Sequence, residues 1–156
     1  MKNNYHLYLG KAGHLTIMAE FLIRGWNVAI PEVDIGDDIF VVQDENGLLK
    51  RVQVKTSTST VRKSGYSAQF TVPITQLTKV KGIYYVFMVR HNNKWTQPVI
   101  IRQDFLLDCY QYLKIGTESN GNLNLYFSYS TDKVECSGVD LTKYISDFTD
   151  FPLIEY

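Results

Sequence analysis

Ile39-Phe40-Val41-Val42-Gln43, Asp44-Glu45-Asn46-Gly47 and Leu48-Leu49-Lys50-Arg51-Val52-Gln53-Val54-Lys55 form the continuous stretch that decides the fold. Asn-Gly tolerates positive φ, so two apolar runs flanking it predict an antiparallel hairpin. Successive side chains of a strand point to opposite faces, which puts Gln53 and Lys55 on one face and Val52 and Val54 on the other. Asp38 stands at the mouth of the first arm, eight residues before Asn46, and Lys55 lies eight residues after Gly47. A carboxylate, an amide and an ammonium are therefore expected to converge at one end of the ribbon. A lysine ending an alternating Val-Gln-Val run is out of place on a plain core face, which makes Lys55 the informative residue.

Outward from the hairpin, residues 11–24 read as a helix. Leu15, Met18, Phe21 and Leu22 recur at helical spacing, broadened by Ile17 and Ala19, and Gly25 suits a left-handed cap. Trp26–Ile30 reads as a short strand stopped by Pro31, and Glu32–Asp38 as an acidic turn. After the hairpin, residues 56–66 are rich in Ser and Thr and read as a polar loop. Ser67–Pro73 reads as an edge strand and Ile74–Lys81 as a short helix. Ile83–Arg90 is nearly all apolar, the mark of a central strand in a covered sheet. Gln97–Ile101 reads as a strand, Gln103–Leu113 as a helix, Gly121–Tyr129 as a strand and Asp140–Phe148 as a last helix capped by Asp140. This order predicts a single α/β domain over residues 1–156, of α+β character, with one sheet.

The 156 residues suffice for one core without disulfide or metal support. The longest apolar run, Ile83–Val89, is too short to span a membrane. The polar start, Met1-Lys2-Asn3-Asn4, carries no export signal, so a cytoplasmic location with Cys109 and Cys136 as free thiols is expected. Net charge is zero but segregated. Residues 46–103 hold ten bases and no acid, while the acids lie before and after. This gradient predicts either ion pairing between elements or a basic surface facing a polyanion.

The runs Gly36-Asp37-Asp38-Ile39-Phe40-Val41-Val42 and Val52-Gln53-Val54-Lys55-Thr56 resemble the PD-(D/E)XK nuclease superfamily, in the small form whose second half-motif reads Gln-Val-Lys. Upstream, Gly13 and Ala19 to Val28, closing on Pro31, resemble the first helix and following strand of that family, and Ile83–Arg90 its central strand. The resemblance covers about residues 10–105. It implies a restriction-endonuclease-like central mixed β-sheet flanked by helices. It also implies catalytic roles for Glu20, Asp38, Gln53 and Lys55: Asp38 as the metal-binding aspartate, Gln53 in the place of the second acid, Lys55 as the catalytic lysine and Glu20 as the helix-one acid. The implied cofactor is Mg²⁺, or Mn²⁺, held by Asp38 and Gln53. The implied partner is nucleic acid, with DNA ahead of RNA. Dimerisation to cut both strands is a further implication.

That chemistry is coherent, because phosphodiester cleavage needs a hard cation and a positioned water. Arg62 and Lys63 in the polar segment are the candidate phosphate contacts, against plain solvation. Asp34 and Asp37 read as solvated turn acids, His14 as a surface residue near the start of the helix, and the tyrosines and phenylalanines of the strands as sheet packing. The leading expectation is a metal-dependent DNA endonuclease. The alternatives are a catalytically inactive nuclease fold that binds nucleic acid or a protein partner, and an unrelated small α+β module.

Overall fold

A computed structural model describes residues 4–155. The chain runs α1 (Tyr5–Ile23), β1 (Asn27–Ala29), β2 (Ile39–Gln43), β3 (Leu48–Thr58), β4 (Thr60–Val61), β5 (Tyr66–Pro73), α2 (Ile74–Lys79), β6 (Ile83–His91), β7 (Lys94–Trp95), β8 (Val99–Arg102), α3 (Gln103–Tyr112), β9 (Thr117–Ser119), β10 (Asn122–Ser130), β11 (Lys133–Cys136) and β12 (Val139–Asp140), with a 3₁₀ turn at Thr142–Tyr144. The architecture is mixed α and β, a mixed sheet flanked by helices.

The predicted hairpin forms as expected. Ile39 faces Val52 and Gln43 faces Leu48 across an antiparallel ladder, with Gly47 at φ +69 in the turn. The other edge of β3 pairs in parallel with β6, from Arg51↔Ile83 to Thr58↔Arg90. β6 is buried on both faces, which explains its unbroken apolar run. Val86 and Met88 meet the core under α1, while Tyr85, Phe87 and Val89 meet the second core.

Two sheets form rather than the expected single one. The predicted edge strand β5 is interior to the second sheet, paired with β10 on one side and β4 on the other. Its alternation fits a sheet covered on one face: Ala68, Phe70 and Val72 are buried, and Gln69 and Thr71 are exposed. The polar segment is not a free loop either. β3 continues through Thr56 to Thr58, and Thr60 and Val61 pair with Ser67 and Tyr66. The β-branched Thr and Val of this segment suit extended backbone. Polarity alone had suggested a loop.

The last predicted helix is absent. Asp140 Oδ1 accepts Thr142 N–H at 2.9 Å, closing a local turn, and Ser146 takes φ +49, which an α-helix does not admit. The chain is instead drawn inward by Phe148 and Phe151, which pack on Phe21 with ring centroids 6.1 and 4.8 Å away. Lys50 fastens this segment, donating to the Asp150 carbonyl oxygen while lying over the rings of Phe151, Trp26 and Tyr84.

α1 begins six residues earlier than the periodicity suggested. Its core ridge is Leu9, Gly13, Ile17 and Phe21, an i, i+4 row. Leu15 and Leu22, expected on the core face, are instead 54% and 53% exposed. The helix is apolar on nearly every side, so the spacing fitted more than one face. Gly13 is where α1 meets β3: a Cβ there would collide with the Thr56 methyl. Gly25, at φ +85, ends the helix as expected. Both cysteines are free and buried. Among the described residues no helix is long and apolar enough to cross a membrane.

Candidate active site

The start of β2 and the middle of β3 build the site. Arg51, Gln53 and Lys55 form a row on one face of β3, and Asp37 and Asp38 enter beside it. The Asp38 N–H donates to the Val52 carbonyl at 2.9 Å, which fixes the aspartate's backbone on the ladder. Its carboxylate then turns back onto β3. Oδ2 accepts the Val54 N–H at 2.6 Å and the Gln53 Nε2 at 2.5 Å, and His14 Nε2 stands 3.4 Å from the same oxygen. Among the described residues Oδ1 takes no hydrogen bond. Asp38 lines an open cleft of about 360 Å³ with His6, Gly10, Lys11, His14 and Asp34.

Lys55 is half-buried beside this group. Burial pushes its ammonium below the ordinary lysine value, and the Asp38 and Asp34 carboxylates pull it partly back. An amine held in that balance can donate to a phosphate oxygen, and it surrenders a proton more readily than a solvated lysine.

The Gln53 amide is oriented by a relay. Gln76 Nε2, on α2, donates to the Gly36 carbonyl at 2.8 Å and to Gln53 Oε1 at 3.0 Å. The Gly36 carbonyl can only accept, so Gln76 must present its NH₂, Gln53 must present its oxygen to Gln76, and the Gln53 NH₂ is left for Asp38. The amide oxygen expected on a metal ion therefore faces Gln76. Gly36 sits at φ +111, and a Cβ there would come within 2.5 Å of Gln76 Nε2, so the turn needs glycine. Nothing in the sequence near Gln76 marks it, because its partners lie 23 and 40 residues away.

Asp37 is not the solvated turn acid expected. It is 3% exposed and held by Arg51, whose Nε and Nη2 reach Oδ2 at 3.0 and 2.8 Å, while Oδ1 is buried with no partner among the described residues. Arg51 Nη1 also reaches the Lys81 carbonyl at 3.3 Å. Asp37 thus anchors the turn that carries Asp38. Asp34 is exposed and caps its own turn, accepting Gly36 N–H at 3.0 Å.

Glu20 does not join the group. It lies six residues past His14, about 9 Å along the helix and well round its circumference, and its carboxylate takes Arg24 Nε at 2.9 Å. His14, read as a surface residue near a helix start, is in mid-helix because α1 begins earlier, and it is the α1 side chain that reaches Asp38. Arg62 and Lys63 are exposed in the turn between β4 and β5, with Arg62 Nε on Ser67 Oγ at 2.8 Å. Several bases of the acid-free stretch are engaged by other groups of the chain: Lys50 with the Asp150 carbonyl, Arg51 with Asp37, Arg90 over Trp95 and, on the surface, Arg102 with Asp104. Lys79, Lys81 and Lys94 join Arg62 and Lys63 on the surface.

The chain is similar in fold to a bacterial homing endonuclease, I-Ssp6803I. The two superpose with a TM-score of 0.59 over 90% of this chain and 86% of that one, at 17% sequence identity. No protein-family model matches the sequence, and no curated protein matches it.

The donor set fits a hard cation through one carboxylate. Among the described residues no group of three or more His, Cys, Asp or Glu side chains is placed to hold a metal. Mg²⁺ keeps several waters and is commonly held by one or two carboxylates with substrate phosphate completing the shell. Asp38, which lines the open cleft, offers one carboxylate of that kind. Gln53 can join it only after its amide turns over and the relay from Gln76 is broken.

Proposed function

We propose that this chain is an endonuclease hydrolysing DNA phosphodiester bonds with Mg²⁺ or Mn²⁺ bound at Asp38, a PD-(D/E)XK nuclease of the Gln-Val-Lys form. The observation that carries the reading is the hydrogen bond of Gln53 to Asp38 at one end of the β2–β3 hairpin, with Lys55 two residues further on the same face of β3, in a fold like that of a homing endonuclease.

A bound divalent ion would supply charge neutralisation on a nonbridging phosphate oxygen and make a coordinated water more acidic. The chain's own residues do the rest. Asp38 offers Oδ1 while Val54 N–H and Gln53 hold Oδ2 still, so the carboxylate is preorganised. Lys55 orients the attacking water and stabilises the negative charge that grows on the phosphate as the new P–O bond forms and the ester P–O bond breaks. His14, on the cleft side of Asp38, is placed to donate to a phosphate oxygen. Arg62 and Lys63 extend the cationic surface for the DNA backbone. The Glu20 role implied by the resemblance has no support in the position of Glu20.

Plasmid nicking tests this. Supercoiled DNA with Mg²⁺ or Mn²⁺ is expected to be nicked by the parent chain. Asp38→Asn and Lys55→Met are each expected to slow nicking by at least about 100-fold, the scale of losing one preorganised electrostatic group. Nicking that persists in both variants would remove the proposal.

A second reading is favoured by the amide nitrogen on Asp38, which leaves one charged ligand: a nuclease fold that binds nucleic acid without cutting it. Salt-sensitive DNA binding with no metal-dependent nicking selects that reading.

A further inference from the structure

The outer side of α1 carries a pattern unrelated to the cleft. Tyr5, Tyr8, Ala12, Leu15, Ala19 and Leu22 follow alternating steps of three and four residues, the spacing of a coiled-coil seam. All six are exposed, Tyr8 by 74%. The buried ridge of Leu9, Gly13, Ile17 and Phe21 lies on the far side of the helix. Over Tyr5–Ile23 the charged side chains are Lys11 and Glu20, and neither is in the stripe. A helix that is apolar on all sides is normally covered on all sides.

We infer that α1 pairs with the α1 of a second copy of this chain, antiparallel across a two-fold axis, along this stripe. The choice of a second copy comes from the order of large and small residues. Set antiparallel about a midpoint between Ala12 and Leu15, the stripe matches itself: Tyr5 meets Leu22, Tyr8 meets Ala19, and Ala12 meets Leu15. Each alanine faces a bulky partner, so large side chains fill the space that small ones leave and the backbones approach closely. A parallel pair would set Tyr8 on Tyr8 and Ala12 on Ala12, leaving crowded and empty layers in turn. An isologous interface needs a patch complementary to itself, and this one is.

The area agrees. Tyr5, Tyr8, Leu15, Leu22 and the flanking Ile23 are each more than half exposed. Together they present on the order of 600 Å², taking about 200 Å² for each whole side chain. A standard interface buries roughly 800 Å² per partner, so the stripe supplies most of one side. The pairing stands independently of the cleavage reading, since it uses no residue of the cleft.

Mass measurement in solution decides it. The parent chain is expected to be a dimer by light scattering and analytical ultracentrifugation at micromolar concentration. Ala12→Lys and Leu15→Glu, both at exposed positions, are each expected to weaken the dimer by at least about 100-fold, because each buries an unpaired charge twice per dimer. Mixing the two variants is expected to restore a heterodimer, since the introduced lysine and glutamate meet across the axis while the second Ala12–Leu15 contact is native. Circular dichroism verifies that both fold. Should either not fold, Ala12→Cys mixed with Leu15→Cys tests the same register: oxidation is expected to link the two species to each other. A monomeric parent chain, a dimer indifferent to both charges, or a mixture that neither reassociates nor crosslinks overturns the inference. DNA nicking is scored separately, so failure of either proposal is visible without the other.

Discussion

Gln53 gives Asp38 its amide nitrogen, at 2.5 Å, and keeps its oxygen for Gln76. Where a second carboxylate would repel Asp38, this side chain binds it. In the proposed metal site the glutamine thus exchanges a charged ligand for a hydrogen bond to Asp38.

Restoring the acid is expected to reverse that exchange. Gln53→Glu removes the donor and sets two carboxylates against each other, so without divalent ions one of them must take a proton or swing away. The melting temperature in chelator should fall below that of the parent. Adding Mg²⁺ or Mn²⁺ should raise it by more in the variant than in the parent, by ligand linkage. Calorimetry with and without metal reads both values, and equal metal shifts would count against an ion at Asp38.

Lys55 gives a stability test with a defined pH dependence. Its folded value is lowered from the ordinary 10.5, first by burial. Between the lowered value and 10.5 the unfolded chain binds more protons, so this group makes stability rise with pH across that window. At neutral pH the charged, desolvated amine works against folding. Lys55→Met should therefore melt higher than the parent at pH 7, with the difference shrinking as pH approaches 10.5. A lower melting point for the variant at pH 7 would show that the amine is stabilising where it lies.

Arg51 and Asp37 form the anchor beneath the site. Removing the guanidinium leaves a carboxylate that is 3% exposed without a partner. Loss of one member of a buried pair costs about 3–5 kcal/mol, and the 31% exposure of Arg51 places this case lower, at about 2–3 kcal/mol. Chemical denaturation of Arg51→Met should show that loss, and nicking should fall with it because Asp38 shares the turn.

Gly13 and Thr56 are expected to be energetically coupled. Gly13→Ala gains roughly 1 kcal/mol of helix propensity but drives a methyl into the Thr56 methyl, an overpacking cost of about 1–3 kcal/mol. Thr56→Ser deletes the obstructing methyl. In that background Gly13→Ala should stabilise the chain, giving a coupling of about 1–3 kcal/mol in a double-mutant cycle.

What the sequence discloses and what it hides divide along physical lines. The β2–β3 hairpin, β6 and α3 were legible because each rests on local signals: a turn dipeptide, an apolar run or a helical period. The meeting of Asp38 with Gln53 followed from strand alternation together with the hairpin register. The second sheet was not legible, because its long pairing joins β5 to β10 across 49 to 63 residues, and only packing fixes such partners. The α1 core face was misread because a helix apolar on every side has no unique stripe. Gln76 and the buried state of Asp37 depend on partners that no local spacing encodes.

Phe148 and Phe151 complete the core around Phe21 and Trp26 from the opposite end of the chain. During synthesis the Phe21 end of the first helix emerges some 125 residues before these rings exist, although β1–β3 can already cover the rest of its inner ridge. The packing around Phe21 and Trp26 is therefore completed only after translation has passed Phe151. A chain stopped just before Phe148 is expected to leave Phe21 and Trp26 partly bare, sticky and open to proteases.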